Sequence, residues 1–365
     1  MIDEKETEKT LWIGDIAVTP PLLMAPMAGF TGSICRRLVR ELGGCGLPAT
    51  EMISARGFVS QKIRNPDDDE LDRLWKVAEE PRPLAAQIWD NDPEQLALVG
   101  ERLAHEYRVS VVDINFGCPA PDIAAKAMSG SFLLRDPERI GRLVERVVKA
   151  CAPTPVTAKI RLGIDATSAP GTCGGIRAYE VAEAVESAGA AALTVHGRFA
   201  RQMFSGEADW DAIASVKEHL RRIPLIGNGD LDSPEKAADF LRRYPVDGVM
   251  IGRAAIGKPW LFRQTAERLR PTTKQRPEFM ATPDVATQRQ MLLRVLYRTI
   301  ERYGEEKAVV IMRKYACRWG AGRTGARDFR RNVGSVRTTV EFESLIRRTF
   351  DGTGLLKSTE QNPEI

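Results

Sequence analysis

Short apolar runs recur along the first two thirds of the chain at spacings too long for hairpins. Each run is bounded by Gly, Pro or polar residues and shows little alternation, which is typical of strands buried on both faces. The eight runs are Leu22–Ala25, Ala49–Ile53, Leu84–Trp89, Val109–Asn115, Val156–Arg161, Ala191–His196, Pro224–Asn228 and Gly248–Ile251. The pattern predicts parallel strands in an α/β protein.

Segments with helical periodicity lie between most of these runs, so strand and helix alternate. Ser233 and Asp136 each precede a Pro-Glu pair, which places an N-cap, a first-turn proline and an acidic residue where helix starts favour them. Helices are predicted over Pro93–Tyr107, Pro137–Ala150, Ile176–Ala188, Trp210–Leu220 and Ser233–Arg243. Eight strands with crossover helices fit a (β/α)8 TIM barrel better than an open doubly wound sheet, and no G-x-G-x-x-G follows the first strand.

The strand signal stops after Phe262, and three prolines then mark a linker before helical periodicity resumes. Met291, Leu292, Val295, Leu296 and Ile300 form one apolar stripe, and Val309, Met312, Ala316 and Trp319 form another, as in a small helical bundle. The predicted organisation is an N-terminal extension (1–14), a barrel (15–268), a linker (269–288), a small helical domain (289–350) and a flexible tail (351–365).

The net charge of +4 is unevenly distributed. Residues 289–350 carry 15 Lys and Arg against 6 Asp and Glu, a balance of +9, so the rest of the chain sums to −5. A basic module beside a mildly acidic body suggests a polyanionic partner, with nucleic acid first among the candidates. The alternative is an Arg-rich helical face that is simply solvated.

Several functional classes are disfavoured by composition. No apolar run reaches the roughly 20 residues of a membrane span, and the polar, Glu-rich start lacks the features of a secretory signal, so a cytoplasmic protein without a membrane partner is expected. The six cysteines are far apart with no C-x-x-C pair, and His196 has no second ligand at metal spacing, so no metal site is expected. We expect a monomer.

Polar or glycine residues close each apolar run, where a β/α barrel places its active site. In chain order these features are Pro26-Met27-Ala28-Gly29, Glu51, Gln87, Asn115 with Cys118, Lys159 with Arg161, His196 with Arg198, Asn228-Gly229-Asp230, and Gly252-Arg253. Any one of them alone is more often a loop cap or turn former. Their common placement at strand ends predicts a single functional site.

Three features of that set suggest chemistry. The glycine loops at Asn228–Asp230 and Gly252–Arg253 could hold a phosphate, although glycine turns are common in loops. Lys159 could stabilise an anion such as a reduced flavin ring, the alternative being a lysine paired with a carboxylate. Cys118 could act as a general acid or a nucleophile, the alternative being a buried turn cysteine.

With these motifs in place, the chain resembles the tRNA-dihydrouridine synthases from about Leu22 to Phe350. Seven family motifs occur in the family's order. They are Ala25-Pro26-Met27-Ala28-Gly29, Thr50-Glu51-Met52-Ile53-Ser54-Ala55, Asp113-Ile114-Asn115-Phe116-Gly117-Cys118-Pro119, Lys159-Ile160-Arg161-Leu162-Gly163, Val195-His196-Gly197-Arg198, Gly227-Asn228-Gly229-Asp230 and Met250-Ile251-Gly252-Arg253. The C-terminal stretch around Lys314 to Trp319 most resembles the bacterial B-type branch.

The resemblance implies an FMN-containing barrel followed by a helical domain that helps to hold tRNA. It implies NADPH as reductant, with NADH as an alternative, hydride transfer from flavin N5 to C6 of a D-loop uridine, and protonation of C5 by Cys118. Asn115, Arg161 and Arg198 are the expected substrate contacts. The expected FMN contacts are Pro26, Met27, Ala28, Gln87, Lys159, His196, Asn228, Gly229, Asp230, Gly252 and Arg253.

Three departures from the family pattern limit this transfer. Thr31-Gly32 replaces the usual Thr-Asp, so the loss of a helix-capping carboxylate is expected. Ala120-Pro121-Asp122 replaces a frequent basic pair, for which Lys126 could compensate. The segment Ala166–Gly175 is longer than usual. Two rival functions stay open. One is an FMN barrel acting on a small molecule, which leaves the +9 module unexplained, and the other is a non-catalytic tRNA-binding protein, against which Cys118 and Lys159 argue.

Overall fold

Eight parallel strands form the body of the computed structural model, which describes residues 9–64, 72–167, 175–322 and 325–350. The strands are β3 (Leu22–Met24), β4 (Ile53–Ser54), β5 (Ala85–Trp89), β6 (Val111–Phe116), β7 (Val156–Arg161), β8 (Ala192–His196), β9 (Leu225–Asn228) and β10 (Gly248–Ile251). Their spatial order is β3-β10-β9-β8-β7-β6-β5-β4. The predicted barrel of eight strands is confirmed.

The second barrel strand is shorter than the predicted run Ala49–Ile53, and the chain before it closes the sheet by single bridges. Met24 N donates to Leu47 O (3.0 Å) on one side, and Thr50 N donates to Ala85 O (2.9 Å) on the other. Pro48 lies between these bridges and has no N–H to add to a ladder, which breaks the pairing at this point; regular strand pairing begins at Ile53.

Helices follow the strands around the outside of the barrel. The predicted N-caps are confirmed, since Asp136 accepts from Arg139 N (2.9 Å) and Ser233 Oγ accepts from Lys236 N (3.2 Å). The barrel helices are α1 (Ser33–Leu42), α2 (Ala55–Arg64), α3 (Pro93–His105), α4 (Pro137–Cys151), α5 (Ala178–Ser187), α6 (Trp210–Val216), α7 (Pro234–Arg243), α8 (Arg253–Gly257) and α9 (Leu261–Leu269).

A β-hairpin precedes the barrel, and this part of the predicted N-terminal extension is therefore ordered structure. Strands β1 (Leu11–Ile13) and β2 (Ile16–Val18) pair antiparallel across a two-residue turn in which Gly14 has φ +55°. Leu11, Ile13 and Val18 pack with the interior residues at the N-terminal ends of the barrel strands. The hairpin thus covers the end of the barrel opposite to the predicted site.

The C-terminal region is helical and packs on the barrel. It contains α10 (Pro277–Met280), α11 (Val285–Tyr303), α12 (Glu305–Trp319), α13 (Ala326–Ser335) and α14 (Thr339–Thr349). Helix α11 begins four residues before the predicted domain boundary, with Asp284 accepting from Thr287 N, so the predicted linker 269–288 holds short helical turns as well as coil. One continuous apolar core joins this region to the barrel. Within it, for example, the ring centres of Trp260 and Trp319 lie 5.5 Å apart in an edge-to-face arrangement.

A second contact joins helix α12 to the loop after the first barrel strand. The Tyr315 hydroxyl donates to the Phe30 carbonyl, and the two rings meet edge to face at 5.4 Å. Lys314 Nζ lies 5.2 Å from the centre of the Phe30 ring. No helix among the described residues has the length and apolar character to span a bilayer.

Candidate active site

A cleft of about 1510 Å³ opens at the C-terminal ends of the barrel strands. All residues that sequence analysis placed in the site line this cleft except Gly29 and Glu51, which lie beside it and are joined by a hydrogen bond from Gly29 N to the Glu51 carboxylate. The wall also includes helical-region residues such as Arg318 and Trp319. Residues from the barrel loops and from the helical region therefore meet at one concave surface, as expected for a barrel active site.

The loop after β9 requires glycine at position 229. Its φ is +138°, and a Cβ atom there would lie 2.5 Å from the Ala208 Cβ and 3.3 Å from the His196 ring. Gly252, after β10, lines the cleft with Ala25 and Met27 as its nearest side chains. The backbone can therefore approach a bound group closely at these two loops, which is the geometry that phosphate-binding loops use.

Asp230 is the acceptor that holds this loop. Its carboxylate accepts from Arg198 Nη2 (2.8 Å), from Ala208 N (2.8 Å) and from Arg253 Nη2 (3.5 Å). Although partial burial opposes ionisation, the Ala208 N–H and the Arg198 guanidinium hold the pKa of Asp230 below its ordinary value. Asp230 is therefore an anion that orients two guanidinium groups beside the glycine loops.

Lys159 lies on the floor of the cleft. Its Nζ donates to Asn228 Oδ1 (3.1 Å), and Asn228 Nδ2 donates in turn to Met250 O (2.7 Å). Burial, with the nearby Arg161, lowers the pKa of Lys159 to about 8. An ammonium has three donors, so the same nitrogen can also serve a bound anionic group.

Cys118 is half-buried in the turn after β6. Asn115 Oδ1 accepts from both Gly117 N and Cys118 N, each at 2.9 Å, and this fixes the turn. Gly130, with φ +54°, packs against Cys118 so closely that a Cβ there would come within 2.7 Å of the Cys118 carbonyl oxygen. Burial raises the pKa of the Cys118 thiol, so the group stays protonated at neutral pH.

His196 is neutral in this environment. Burial, followed by the positive charges of Lys159 and Arg161, lowers its pKa far below the usual range. Its Nε2 lies 3.4 Å from Arg198 Nη1. A guanidinium cannot accept, so Nε2 is the acceptor and the ring proton is on Nδ1.

Arg161 and Arg198 support the walls of the cleft. Arg161 donates from Nε to Gly117 O (3.0 Å) and from Nη1 to Phe199 O (3.0 Å) and Met203 O (2.9 Å), and burial lowers its pKa to about 10. Arg198 donates to the Ser205 and Gly206 carbonyls as well as to Asp230. Both residues line the cleft, but much of their donor capacity holds the loop that follows β8.

That loop carries a residue which sequence reasoning missed. Phe204 is 54% exposed and forms part of the cleft wall. The Arg253 guanidinium lies 4.5 Å from its ring centre, and that of Arg161 lies 5.7 Å away. An exposed aromatic residue at the mouth of a site is notable, but the strand-end criterion could not find it because it lies eight residues beyond the end of β8.

The structure shows the surroundings of two of the three places where the sequence departs from the family pattern. Helix α1 begins after Gly32 without a side-chain cap, while the carboxylate of Glu51 accepts from Gly29 N (2.5 Å) in the preceding loop. Lys126 is exposed and pairs with Asp122 (2.7 Å), so the expected compensating cation has a carboxylate partner within its own turn. In the Ala166–Gly175 loop, residues 168–174 lie outside the described part of the chain.

Comparison with known proteins gives a consistent result. The family model described as Dihydrouridine synthase (Dus) matches residues 23–352. The chain is similar to "tRNA-dihydrouridine synthase B" of Pseudomonas aeruginosa strain PAO1 (36% identity, 94% of this chain, 98% of the relative) and of Xanthomonas axonopodis pv. citri (37%, 93% and 95%). It is also similar to the "Probable tRNA-dihydrouridine synthase" of Rickettsia bellii (32%, 92% and 96%).

Solved structures share the fold at low sequence identity. The crystal structure of TcOYE with pHBA aligns with a TM-score of 0.52 at 13% identity, over 75% of this chain and 96% of that one. Morphinone reductase aligns with a TM-score of 0.50 at 12% identity, over 71% and 88%. These alignments support the barrel architecture.

Proposed function

This chain belongs to the dihydrouridine synthase family, and from that premise we propose that it reduces the C5–C6 double bond of a uridine in tRNA. As a member of that family it is a flavin-dependent oxidoreductase. The observation that carries the proposal is the arrangement of the cleft, in which the half-buried Cys118 thiol, the Lys159 ammonium and two glycine loops share one surface.

The cleft fits FMN as the resident cofactor. Gly229 gives the loop a backbone conformation that a side chain would not allow, and Arg253 after β10 supplies positive charge beside the same loop, so these residues would hold the phosphate. Lys159, Gln87 and the neutral His196 would contact the ring system. Pro26, Met27 and Ala28 would cover the cofactor from the first loop.

Bound FMN would supply the hydride that C6 of the uridine receives. Cys118 then gives the proton to C5, a role that suits a thiol whose pKa is raised by burial, because the group remains a donor at neutral pH. Asn115 and Arg198 would contact the base. The proposed reductant is NADPH, with NADH as the alternative.

The substrate base must leave its stack before it can enter the cleft, so an RNA loop suits this site better than a regular duplex. The resemblance to the B-type branch makes a D-loop uridine the proposed target. The balance of +9 in residues 289–350 supports phosphate contacts by the helical region, which would make the affinity dependent on salt.

The decisive test incubates the purified protein with NADPH and unmodified tRNA, followed by digestion and mass spectrometry. We expect dihydrouridine, recognised by a gain of two hydrogens, at one tRNA position. Oxidation of NADPH without dihydrouridine would favour a flavin enzyme acting on a small molecule. Absence of bound flavin from the purified protein would contradict the assignment of the cleft.

A further inference from the structure

Asp113 is a buried carboxylate that the proposed reaction leaves without a role. It lies inside β6 rather than at a strand end and is 6% exposed. The strand register sets it beside Gln87 of β5 on one side and Thr157 of β7 on the other. Gln87 Nε2 and the Thr157 hydroxyl each donate to it at 2.7 Å.

A chain of amide hydrogen bonds leads from Asp113 to the Cys118 turn. Gln87 Nε2 donates to Asp113 Oδ2, and Gln87 Oε1 accepts from Asn115 Nδ2 at 2.9 Å. Asn115 Oδ1 then accepts from Gly117 N and Cys118 N. Two side-chain amides therefore connect a buried carboxylate to the backbone of the proposed proton donor.

The two ends of this chain determine its direction. The backbone N–H groups at the Cys118 turn can only donate, so Asn115 must present its oxygen to them and its nitrogen to Gln87. Gln87 must then present its oxygen to the Asn115 nitrogen, so its own nitrogen faces Asp113. This orientation is satisfied because an ionised carboxylate can only accept. A reversed amide at either residue would set two donors or two acceptors against each other.

We propose that Asp113 is a positioning residue, which fixes the amide orientation of Gln87 and Asn115 and thereby holds the Cys118 turn in place for proton transfer. The proposal rests on the proposed function for the identity of the reaction, but the positioning can be measured without RNA. Burial raises the pKa of Asp113 to about 6, so the group is still largely ionised at neutral pH and keeps its acceptor character.

Two substitutions at this position differ in what they leave for Gln87. Asp113→Leu removes the acceptor, so the amide of Gln87 loses its fixed direction. Asp113→Asn keeps one oxygen, which can still face Gln87 if the Thr157 hydroxyl turns to accept from the new amide. Thr194→Val is the control for barrel packing, because Thr194 is buried on β8 and outside the chain of hydrogen bonds from Asp113 to Cys118.

The first measurement is the rate of dihydrouridine formation when pre-reduced enzyme meets tRNA. Displacement of a reacting group by about 1 Å can cost on the order of 10²-fold, so that loss is expected for Asp113→Leu, with about tenfold for Asp113→Asn and little change for Thr194→Val. Flavin content, the KM for tRNA and the rate of flavin reduction by NADPH should stay within a few-fold of wild type.

A loss confined to flavin reduction would overturn the proposal, since Asp113 would then act on the charge of Lys159. Wild-type rates in both Asp113 variants would overturn it as well. If Asp113→Leu fails to fold, Asp113→Asn alone decides between these outcomes.

The second measurement does not depend on RNA. The flavin-loaded protein is alkylated with iodoacetamide, and the Cys118 peptide is quantified against the Cys317 peptide of helix α12 by mass spectrometry. A turn that has lost its anchor should be alkylated several-fold faster at Cys118 and equally at Cys317. If wild type forms no dihydrouridine, the proposed function fails, while this ratio still tests Asp113; an unchanged ratio would overturn the positioning role.

Discussion

Burial shifts the pKa values of Cys118 and Lys159, two side chains of the cleft, in opposite directions. Burial disfavours charge, so it raises the pKa of the Cys118 thiol and lowers that of the Lys159 ammonium. The thiol is thereby kept protonated at neutral pH, as the proposed donor role requires. The lysine stays mostly charged at neutral pH but titrates near pH 8, so its charge becomes sensitive to pH and to any bound anion.

Replacement of the thiol tests the first of these effects. Cys118→Ala should keep bound flavin and its reduction by NADPH while dihydrouridine formation falls by about 10²–10⁴-fold, the usual contribution of a general acid. Cys317→Ala is the matched control, because this second half-buried thiol lies on helix α12 and does not line the cleft. Equal loss of flavin in Cys118→Ala would contradict the role as a donor.

The pH dependence of cofactor affinity tests the second effect. Below pH 8 Lys159 carries its charge, and above it the ammonium becomes neutral, so the affinity of the flavin-free protein for FMN should weaken as pH rises through about 8. The FMN phosphate contributes little in this window because its second ionisation is complete above pH 7 (pKa about 6). Fluorescence titration of FMN from pH 7 to 9.5 measures the change.

The matched variants are Lys159→Met, which should bind FMN more weakly with a flat profile, and Lys149→Met on the exposed face of helix α4, which should retain the slope. A slope retained in Lys159→Met would assign the titration to another group.

At the level of single residues, the sequence predicted most of the side chains at or near strand ends, and Gln87 within β5, but it missed Asp113 and Phe204. Cys118, Lys159 and Asn228 follow from the rule that barrel sites form at the carboxyl ends of strands. Asp113 lies inside a strand and Phe204 in a distant loop, so their place in or beneath the cleft depends on strand register and loop packing. No periodicity in one sequence encodes that information.

The loop between β9 and α7 shows how one element depends on a backbone conformation. Gly229→Ala should destabilise the protein by about 1–3 kcal/mol, because φ is +138° and the new Cβ would overlap Ala208. FMN affinity should fall with it, since the same loop lines the proposed phosphate site.

Gly334→Ala in helix α13 is the control for glycine itself, since no atom lies within 4 Å of its Cβ position and the helix should gain about 0.5–1 kcal/mol. Chemical denaturation and flavin titration of both variants give the comparison. A neutral Gly229→Ala variant would contradict the loop conformation.

Among whole elements, long buried strands and capped helices were predictable, whereas β1, β2 and the closure around β4 were not. The hairpin strands have three residues each, too few to show a period, and the segment before β4 pairs only by single bridges on either side of Pro48. The hairpin covers the N-terminal end of the barrel, and the bridges before β4 join the first and third barrel strands. Both interactions depend on the positions of the other strands, which no local sequence pattern specifies.

The charge asymmetry is a property of the whole molecule and gives a test of RNA binding. Arg327→Gln with Arg330→Gln, both exposed on α13, should weaken tRNA binding and lower the slope of log affinity against log salt by about 1–2 units. Arg142→Gln with Lys149→Gln on α4 makes the same change in net charge on the barrel and should leave the slope unchanged. Filter binding of tRNA over a range of salt concentrations measures the two slopes. Equal slopes in the two double variants would contradict a contact between helix α13 and tRNA.

The contact between Tyr315 and Phe30 ties the helical region to the loop that carries Pro26, Met27 and Ala28. If FMN and tRNA both favour the same arrangement of this contact, a coupling free energy connects their two binding equilibria. Thermodynamic reciprocity then makes the effect of each ligand on the other equal. FMN would then tighten tRNA binding by the same factor by which tRNA tightens FMN binding. The joint between the two regions would thus favour the complete ternary assembly over either half-filled state.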